Sequence, residues 1–287
     1  MKKRRLKKKP IIILLLINVI IISLIIVLPD KKGDNKTSKV STTLEKTKDT
    51  NSKFKDEKYY IDSNLNRYLD YYKKNKDLSL DKVIALVNSN ADKEKYVDTA
   101  KTDTSKNEVM LVNKYYYLTE EDNPSDLVTL TSKYNSGVNS SMRKKAALAF
   151  MEMSDAASLD NIIIKNASAY RSYKYQVNLY DKYVERDGKK AADTYSARPG
   201  FSEHQTGLAT DINEIDNGFE NTDAFKWLDK NAYKYGFILR FPKGKEDITG
   251  YSYEAWHYRY VGKDVAKKIK NEDLTLEEYY AYYVEKK

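Results

Sequence analysis

Apolar and polar positions divide the chain into three stretches. Ile11 to Leu28 is an 18-residue apolar run broken only by Asn18 and Ser23. At about 1.5 Å per residue it would reach about 27 Å, close to the hydrocarbon thickness of a bilayer. From residue 31 to residue 55 the larger apolar side chains shrink to Val40, Leu44 and Phe54, scattered among Lys, Asp, Thr, Ser and Asn. Such a stretch buries too little surface to offset its ordering entropy, which predicts a disordered spacer. Apolar and aromatic residues return from 56 to 287 and predict one globular unit.

Within that unit the first half reads mainly helical. Ile61–Tyr72, Leu80–Val87 and Ser140–Met153 carry apolar residues at helical spacing, and Val109-Met-Leu-Val112 is a short run suited to a buried strand. The second half predicts strands over Ile162–Ile164, Leu208–Ile212, Phe237–Phe241 and Trp256–Val261. A helix over Phe219–Tyr235 should stop at Gly236, and Thr275-Leu-Glu-Glu278 has the pattern of a capping box. Helices followed by a strand-rich half predict an α+β fold, with its core over 160–265.

Charge changes the picture at the N-terminus. The net charge is +9, but Lys2, Lys3, Arg4, Arg5, Lys7, Lys8 and Lys9 hold +7 of it. A nucleic-acid module keeps its basic patch in the folded part, and almost none is left there, so no nucleic-acid partner is expected. No protein partner is predicted either. Seven cations before an apolar run read as a cytoplasmic flank and signal anchor over residues 1–30, with the membrane engaged through residues 11–28. The run is longer than a usual signal-peptide core and lacks a small-x-small site, but cleavage stays an alternative. Either reading predicts an extracytoplasmic folded domain, and an uncleaved anchor predicts a single-pass protein of the cell membrane. The chain has no Cys, which removes thiolate metal sites, Fe–S clusters and a Cys nucleophile.

The chemistry-bearing residues cluster. The chain has two histidines, His204 within Ser202-Glu-His-Gln-Thr-Gly-Leu-Ala-Thr-Asp211 and His257 within Glu254-Ala-Trp-His-Tyr-Arg-Tyr-Val-Gly262. A hydrolytic zinc centre commonly takes three ligands from His and carboxylate and leaves a position open. His204, Asp211 and His257 supply such a set, and Gly207 allows the tight turn by which His204 and Asp211 could converge. Glu254 lies three residues before His257, so on a regular strand the two would face opposite sides. A turn or bulge is required if both are to serve one centre, where Glu254 would act as general base and then general acid. Either histidine taken alone would also suit an ordinary hydrogen-bonded residue. Arg171, at the end of a predicted strand, could bind a substrate carboxylate or an oxyanion, or be a surface arginine at a helix start. No phosphate-binding glycine loop and no serine nucleophile elbow competes.

At these residues the sequence resembles the VanY-like D-alanyl-D-alanine carboxypeptidases. The similarity runs through Tyr170-Arg-Ser-Tyr with Gln176, then Arg198 to Asp211, Tyr235-Gly-Phe-Ile-Leu-Arg240, Lys243-Gly-Lys-Glu246, Ile248-Thr-Gly250 and Glu254 to Gly262. It is close over about 162–262 and looser over 56–158. The resemblance implies a hedgehog/DD-peptidase-like α+β fold, in which a small antiparallel sheet carries the zinc among surrounding helices. It implies one Zn2+ on His204, Asp211 and His257, Glu254 as catalytic base, Arg171 as a catalytic residue, and a pocket lined by Gln176, Ser202 and Trp256. Peptidoglycan stem peptides would be the substrate, with loss of a terminal D-alanine. An LD-carboxypeptidase acting on tetrapeptide stems and a catalytically inactive wall-binding module are the alternatives. The chain departs from the family pattern at Ala255, where a proline is common.

Overall fold

The computed structural model describes residues 50–285. Two short helices, α1 (Leu65–Lys74) and α2 (Leu80–Asn88), precede a strand pair, β1 (Ala100–Lys101) and β2 (Tyr116–Tyr117). Strands β3 (Leu127–Thr129), β4 (Asn135–Asn139) and β5 (Ser141–Arg143) lead into α3 (Lys144–Leu159). Strand β6 (Asn166–Ser168) is followed by α4 (Tyr173–Asp187) and α5 (Lys189–Tyr195). Then come β7 (Ala209–Ile212), α6 (Asp223–Asn231), β8 (Phe237–Phe241), the single turn α7 (Glu246–Thr249) and β9 (Glu254–Tyr260). Helices α8 (Lys263–Glu272) and α9 (Leu276–Tyr279) follow, and a π-helical turn over Tyr280–Glu285 is the last of the described residues.

Five strands form the central sheet, in the order β4-β6-β7-β9-β8. The pairs β6–β7, β7–β9 and β9–β8 are antiparallel, as expected, but β4 joins the edge parallel to β6. The sheet is therefore mixed. Close approach of backbones at this edge requires glycine: a Cβ on Gly137 would lie 1.5 Å from the Ala167 carbonyl oxygen. Both faces of the sheet are covered. Phe237 packs toward Phe150 and Met153 of α3, whereas its neighbour Ile238 packs with Ala266 and Ile269 of α8 and Leu276 of α9. This alternation is the two-residue period of a strand between two apolar layers.

Several expected elements move for physical reasons. Ile162–Ile164 is not a strand. Asn161 ends α3 in the left-handed conformation (φ 60°), and the N–H groups of Asn161 and Ile162 donate to the carbonyls of Ser158 and Ala157. That is a Schellman cap, and Ile162 is its hydrophobic contact, with the strand starting four residues later. Val109–Val112 is buried over 110–112 but unpaired in any ladder, because Arg259 Nη2 donates to the Glu108 and Met110 carbonyls and Thr102 Oγ1 to that of Leu111. The helix expected over Phe219–Tyr235 is broken where Thr222 caps α6 by accepting from the Phe225 N–H, and it does end at a left-handed Gly236. The capping box at Thr275 and Glu278 is present. Residues 50–56 are helical and Phe54 is fully buried beside Tyr68, so folded structure reaches into the end of the expected 31–55 spacer.

The expectation of a single-pass membrane protein is corrected. Among the described residues no helix is long and apolar enough to cross a membrane. The longest, α3 with 16 residues, would reach about 24 Å and is amphipathic. The anchor expected over residues 11–28 lies outside the described residues.

Candidate active site

Three local devices bring the chemistry together on one face of the sheet. In the β7–β9 ladder Asp211 pairs directly with His257, so both side chains leave on the same side. His204 stands on a 3-10 turn over Glu203–Thr206, closed by Gly207 at φ 67°, a left-handed position that costs an L side chain about 1–2 kcal/mol. The third device is in β9. Leu239 pairs with Tyr258 but Phe241 with Glu254, so β9 spends four residues where β8 spends two. The bulge turns Glu254 to the side of His257.

The result is a buried cluster. Single ligand atoms of His204, Asp211 and His257 all lie within 4.8 Å of one another. His204 Nε2 is 3.4 Å and His257 Nδ1 3.3 Å from Asp211 Oδ1, and Glu254 Oε2 is 3.5 Å from His257 Nδ1. His204 Nδ1 donates to the Ala169 carbonyl at 2.7 Å, which fixes the tautomer and leaves Nε2 as the bare nitrogen facing Asp211. Asp211 Oδ1 is buried without a hydrogen-bond partner. An orphaned carboxylate oxygen facing two imidazole nitrogens is the donor set a zinc ion takes, and the residues fit that metal.

The surrounding charges set the protonation of these groups. Burial works against ionisation of Asp211, yet its carboxyl lies well below the usual range, with the Arg171 guanidinium bonded to it. Burial and Arg171 push the His204 imidazole down. Burial also opposes a charge on His257, yet the facing carboxylates of Asp211 and Glu203 raise it to about 9. Glu254 is pushed up to about 7, first by burial and further by Asp211 and Glu203, against the pull of His257 and Arg171.

The other expected residues fall around one cleft of about 320 Å³ that also contains the cluster: Arg171, Gln176, Ser202, Glu254 and Trp256 all line it. Arg171 follows β6 and is braced there, with Nε donating to Ser168 Oγ at 3.0 Å and Nη2 to Asp211 Oδ2 at 2.5 Å. It therefore neutralises the aspartate as well as facing the cleft. Gln176, on α4, donates from Nε2 to the Ala197 carbonyl at 2.8 Å, and its Oε1 has no protein partner. Ala255 is buried, and its N–H donates to Asn217 Oδ1 at 3.3 Å, a bond proline could not make. The departure from the family pattern therefore comes with its own turn contact.

Sequence reasoning missed the layer behind the cluster. Glu203, Arg240, Arg259 and Glu277 are all buried there. Glu203 Oε1 accepts from Arg240 Nε and Arg259 Nη1, each at 2.7 Å, and Arg240 also makes a two-pronged bond to Glu277. The available signal was an arginine at the fourth position of the apolar strand Phe237–Phe241, which must find a buried counter-charge.

An α+β fold with a His/Asp/His cluster at the floor of a cleft and a glutamate beside it has the layout of a metallopeptidase. Comparison with known proteins narrows the class. The family profile described as VanY, D-alanyl-D-alanine carboxypeptidase, matches residues 139–263. The chain is 48% identical over 183 residues to YodJ of Bacillus subtilis, a protein named for carboxypeptidase activity, covering 61% of this chain and 67% of that one. It is 42% identical over 137 residues to a D-alanyl-D-alanine carboxypeptidase of Enterococcus faecalis, covering 45% of this chain and about half (51%) of that enzyme. Among solved structures, the LdcB LD-carboxypeptidase has a TM-score of 0.61 at 43% identity, over 66% of this chain and 92% of that one. The vancomycin-resistance D,D-pentapeptidase VanY, solved in complex with Zn(II), has a TM-score of 0.52 at 36% identity, over 60% and 98%. The chain belongs to the VanY-like D-alanyl-D-alanine carboxypeptidase family.

Proposed function

We propose that this chain is a zinc-dependent carboxypeptidase that removes the terminal D-alanine from peptidoglycan stem peptides. The observation that carries the reading is the convergence of His204, Asp211 and His257 within 4.8 Å, next to Glu254 and inside the cleft lined by Arg171. His204 Nε2, an Asp211 carboxylate oxygen and His257 Nδ1 would hold the metal. Bound there, zinc supplies Lewis-acid polarisation of a carbonyl and makes a water more acidic. Glu254 takes the proton from the attacking water as its oxygen bonds to the scissile carbonyl carbon. It returns that proton to the amine when the C–N bond breaks, so the products are a shortened peptide and free D-alanine. Arg171 meets the substrate's terminal carboxylate or the developing oxyanion. Gln176, Ser202 and Trp256, which line the cleft, position the peptide.

The LdcB likeness favours a second reading, an LD-carboxypeptidase that shortens tetrapeptide stems. The two separate on one measurement, mass spectrometry of pentapeptide and tetrapeptide muropeptides incubated with the zinc-loaded chain. Loss of one alanine from the pentapeptide is the expected outcome, and trimming of the tetrapeptide alone would replace it with the second reading. Glu254→Gln should keep zinc and lose about 10²–10⁴-fold in turnover, the usual worth of a general acid–base group. Turnover equal to that of the parent chain would remove Glu254 from the mechanism.

A further inference from the structure

The four buried charges behind the cluster do more than neutralise one another. Every nitrogen of Arg259 donates: Nη1 to Glu203, Nη2 to the Glu108 and Met110 carbonyls, and Nε to the Tyr260 carbonyl. Arg240 is likewise spent on Glu203 and Glu277, and Glu277 accepts further from Asn113 Nδ2 at 3.1 Å. Both arginine bonds to Glu203 fall on Oε1. Its other oxygen, Oε2, is buried and makes no conventional hydrogen bond, and neither does His257 Nε2. These two partnerless atoms face each other at 3.5 Å. The opposite ring nitrogen, Nδ1, is the one turned toward Asp211 and Glu254.

The register makes the arrangement repeatable. His257 and Arg259 are two residues apart on β9 and leave the sheet on one face, and Glu203 sits between them on the turn that carries His204. One short turn thus supplies a candidate ligand and, one residue earlier, the carboxylate behind the other histidine. The frame also reaches the C-terminal α9 through Glu277, so helix, sheet and turn all bear on one imidazole.

We propose that Glu203 is a positioning residue that holds the His257 ring with Nδ1 toward the metal, and that Arg240, Arg259 and Glu277 exist to hold Glu203. The proposal rests on zinc binding at this cluster as set out above. Its chemistry is that of an outer carboxylate accepting from the far N–H of a metal-binding histidine, whose loss commonly costs about 10–100-fold in metal affinity.

The test uses the full chain and competition with a chromogenic zinc chelator, with thermal unfolding of the metal-free protein alongside. Glu203→Gln should weaken zinc binding about 10–100-fold. Met153→Ala, a fully buried position on the opposite face of the sheet, should lower the melting temperature without moving zinc affinity. If Glu203→Gln does not fold, Glu203→Asp keeps the charge that the arginines need but draws the carboxylate back from Nε2, and it should also bind zinc more weakly. Zinc affinity in either glutamate variant equal to that of the parent overturns the proposal. Loss of affinity in Met153→Ala as large as in Glu203→Gln also overturns it, because the effect would then report stability alone. A parent chain that takes up no zinc overturns the metallopeptidase reading, and this inference falls with it. Zinc binding that is intact in both the parent and Glu203→Gln overturns this inference alone.

Discussion

Two groups of charged side chains lie side by side on the same face of the sheet, and they are built to opposite standards. In the frame of Glu203, Arg240, Arg259 and Glu277, every arginine nitrogen is engaged, at distances between 2.5 and 3.2 Å. In the cluster of His204, Asp211, His257 and Glu254, the side chains approach one another only at 3.3 to 3.5 Å, and Asp211 Oδ1 is left without a hydrogen bond. Both groups are buried, so the contrast is not one of solvent. Burial of charge is tolerated only when it is paired, and within the chain the frame meets that condition at every atom except Glu203 Oε2, the one turned toward His257. The cluster meets it only in part, which is the mark of a site arranged around something it binds. The difference separates residues that hold shape from those proposed to do chemistry more sharply than residue type does, since glutamate appears in both groups.

The largest effect should come from breaking the frame. Arg240→Ala would leave Glu203 and Glu277 buried without their shared counter-charge. Removing one partner of a buried ion pair costs about 3–5 kcal/mol, and denaturant unfolding of the metal-free chain should show a loss of that size. A loss under about 1 kcal/mol would mean that the frame is no better satisfied than a surface pair, and the contrast would fail.

A smaller stability effect is expected from the cluster. His204→Ala removes one neutral hydrogen bond and leaves the Ala169 carbonyl oxygen unpaired, a cost of about 1–3 kcal/mol. Zinc uptake, measured by elemental analysis after dialysis, should be lost. The two variants therefore sharpen the comparison in opposite directions, one losing mostly stability and the other mostly metal. Stoichiometric zinc retained by His204→Ala would mean that the ligand set is drawn wrongly.

The parts legible in the sequence were those that local chemistry decides. His204, Asp211 and His257 stood out because the histidines are so few, and the bulge before His257 followed from the three-residue offset of Glu254. Gly207 and Gly236 were readable as a tight turn and a helix stop, and both adopt the left-handed backbone that glycine accommodates. What stayed hidden depended on partners distant along the chain. Nothing local to Arg240 points to Glu277, 37 residues away, or to Glu203, 37 residues before it. Nothing local to Val109–Val112 says that a side chain from β9 will satisfy its carbonyls in place of a neighbouring strand. The Ile162–Ile164 run failed for a different reason, because an apolar triplet after a helix serves a cap as well as it serves a strand. The parallel β4–β6 edge has no sequence signal beyond Gly137.

The smallest effect should come from a pair with nearly the same geometry as the frame and none of its surroundings. Lys270 Nζ lies 2.8 Å from Asp229 Oδ1, joining α8 to α6, against 2.7 Å for Arg240 and Glu203. Distance alone would rank the two contacts as equals. In water the Lys270 attraction is screened, and both side chains give up rotamer freedom to make it, so such pairs contribute about 0–1 kcal/mol. Lys270→Ala should therefore change unfolding free energy by less than about 0.5 kcal/mol, and raising the salt concentration should erase even that. The Arg240→Ala penalty should persist at the same salt, because buried pairs are screened much less. If the two penalties respond alike to salt, the frame is wetter than its burial implies, and Glu203 would no longer have the dry, fixed seat from which to orient His257.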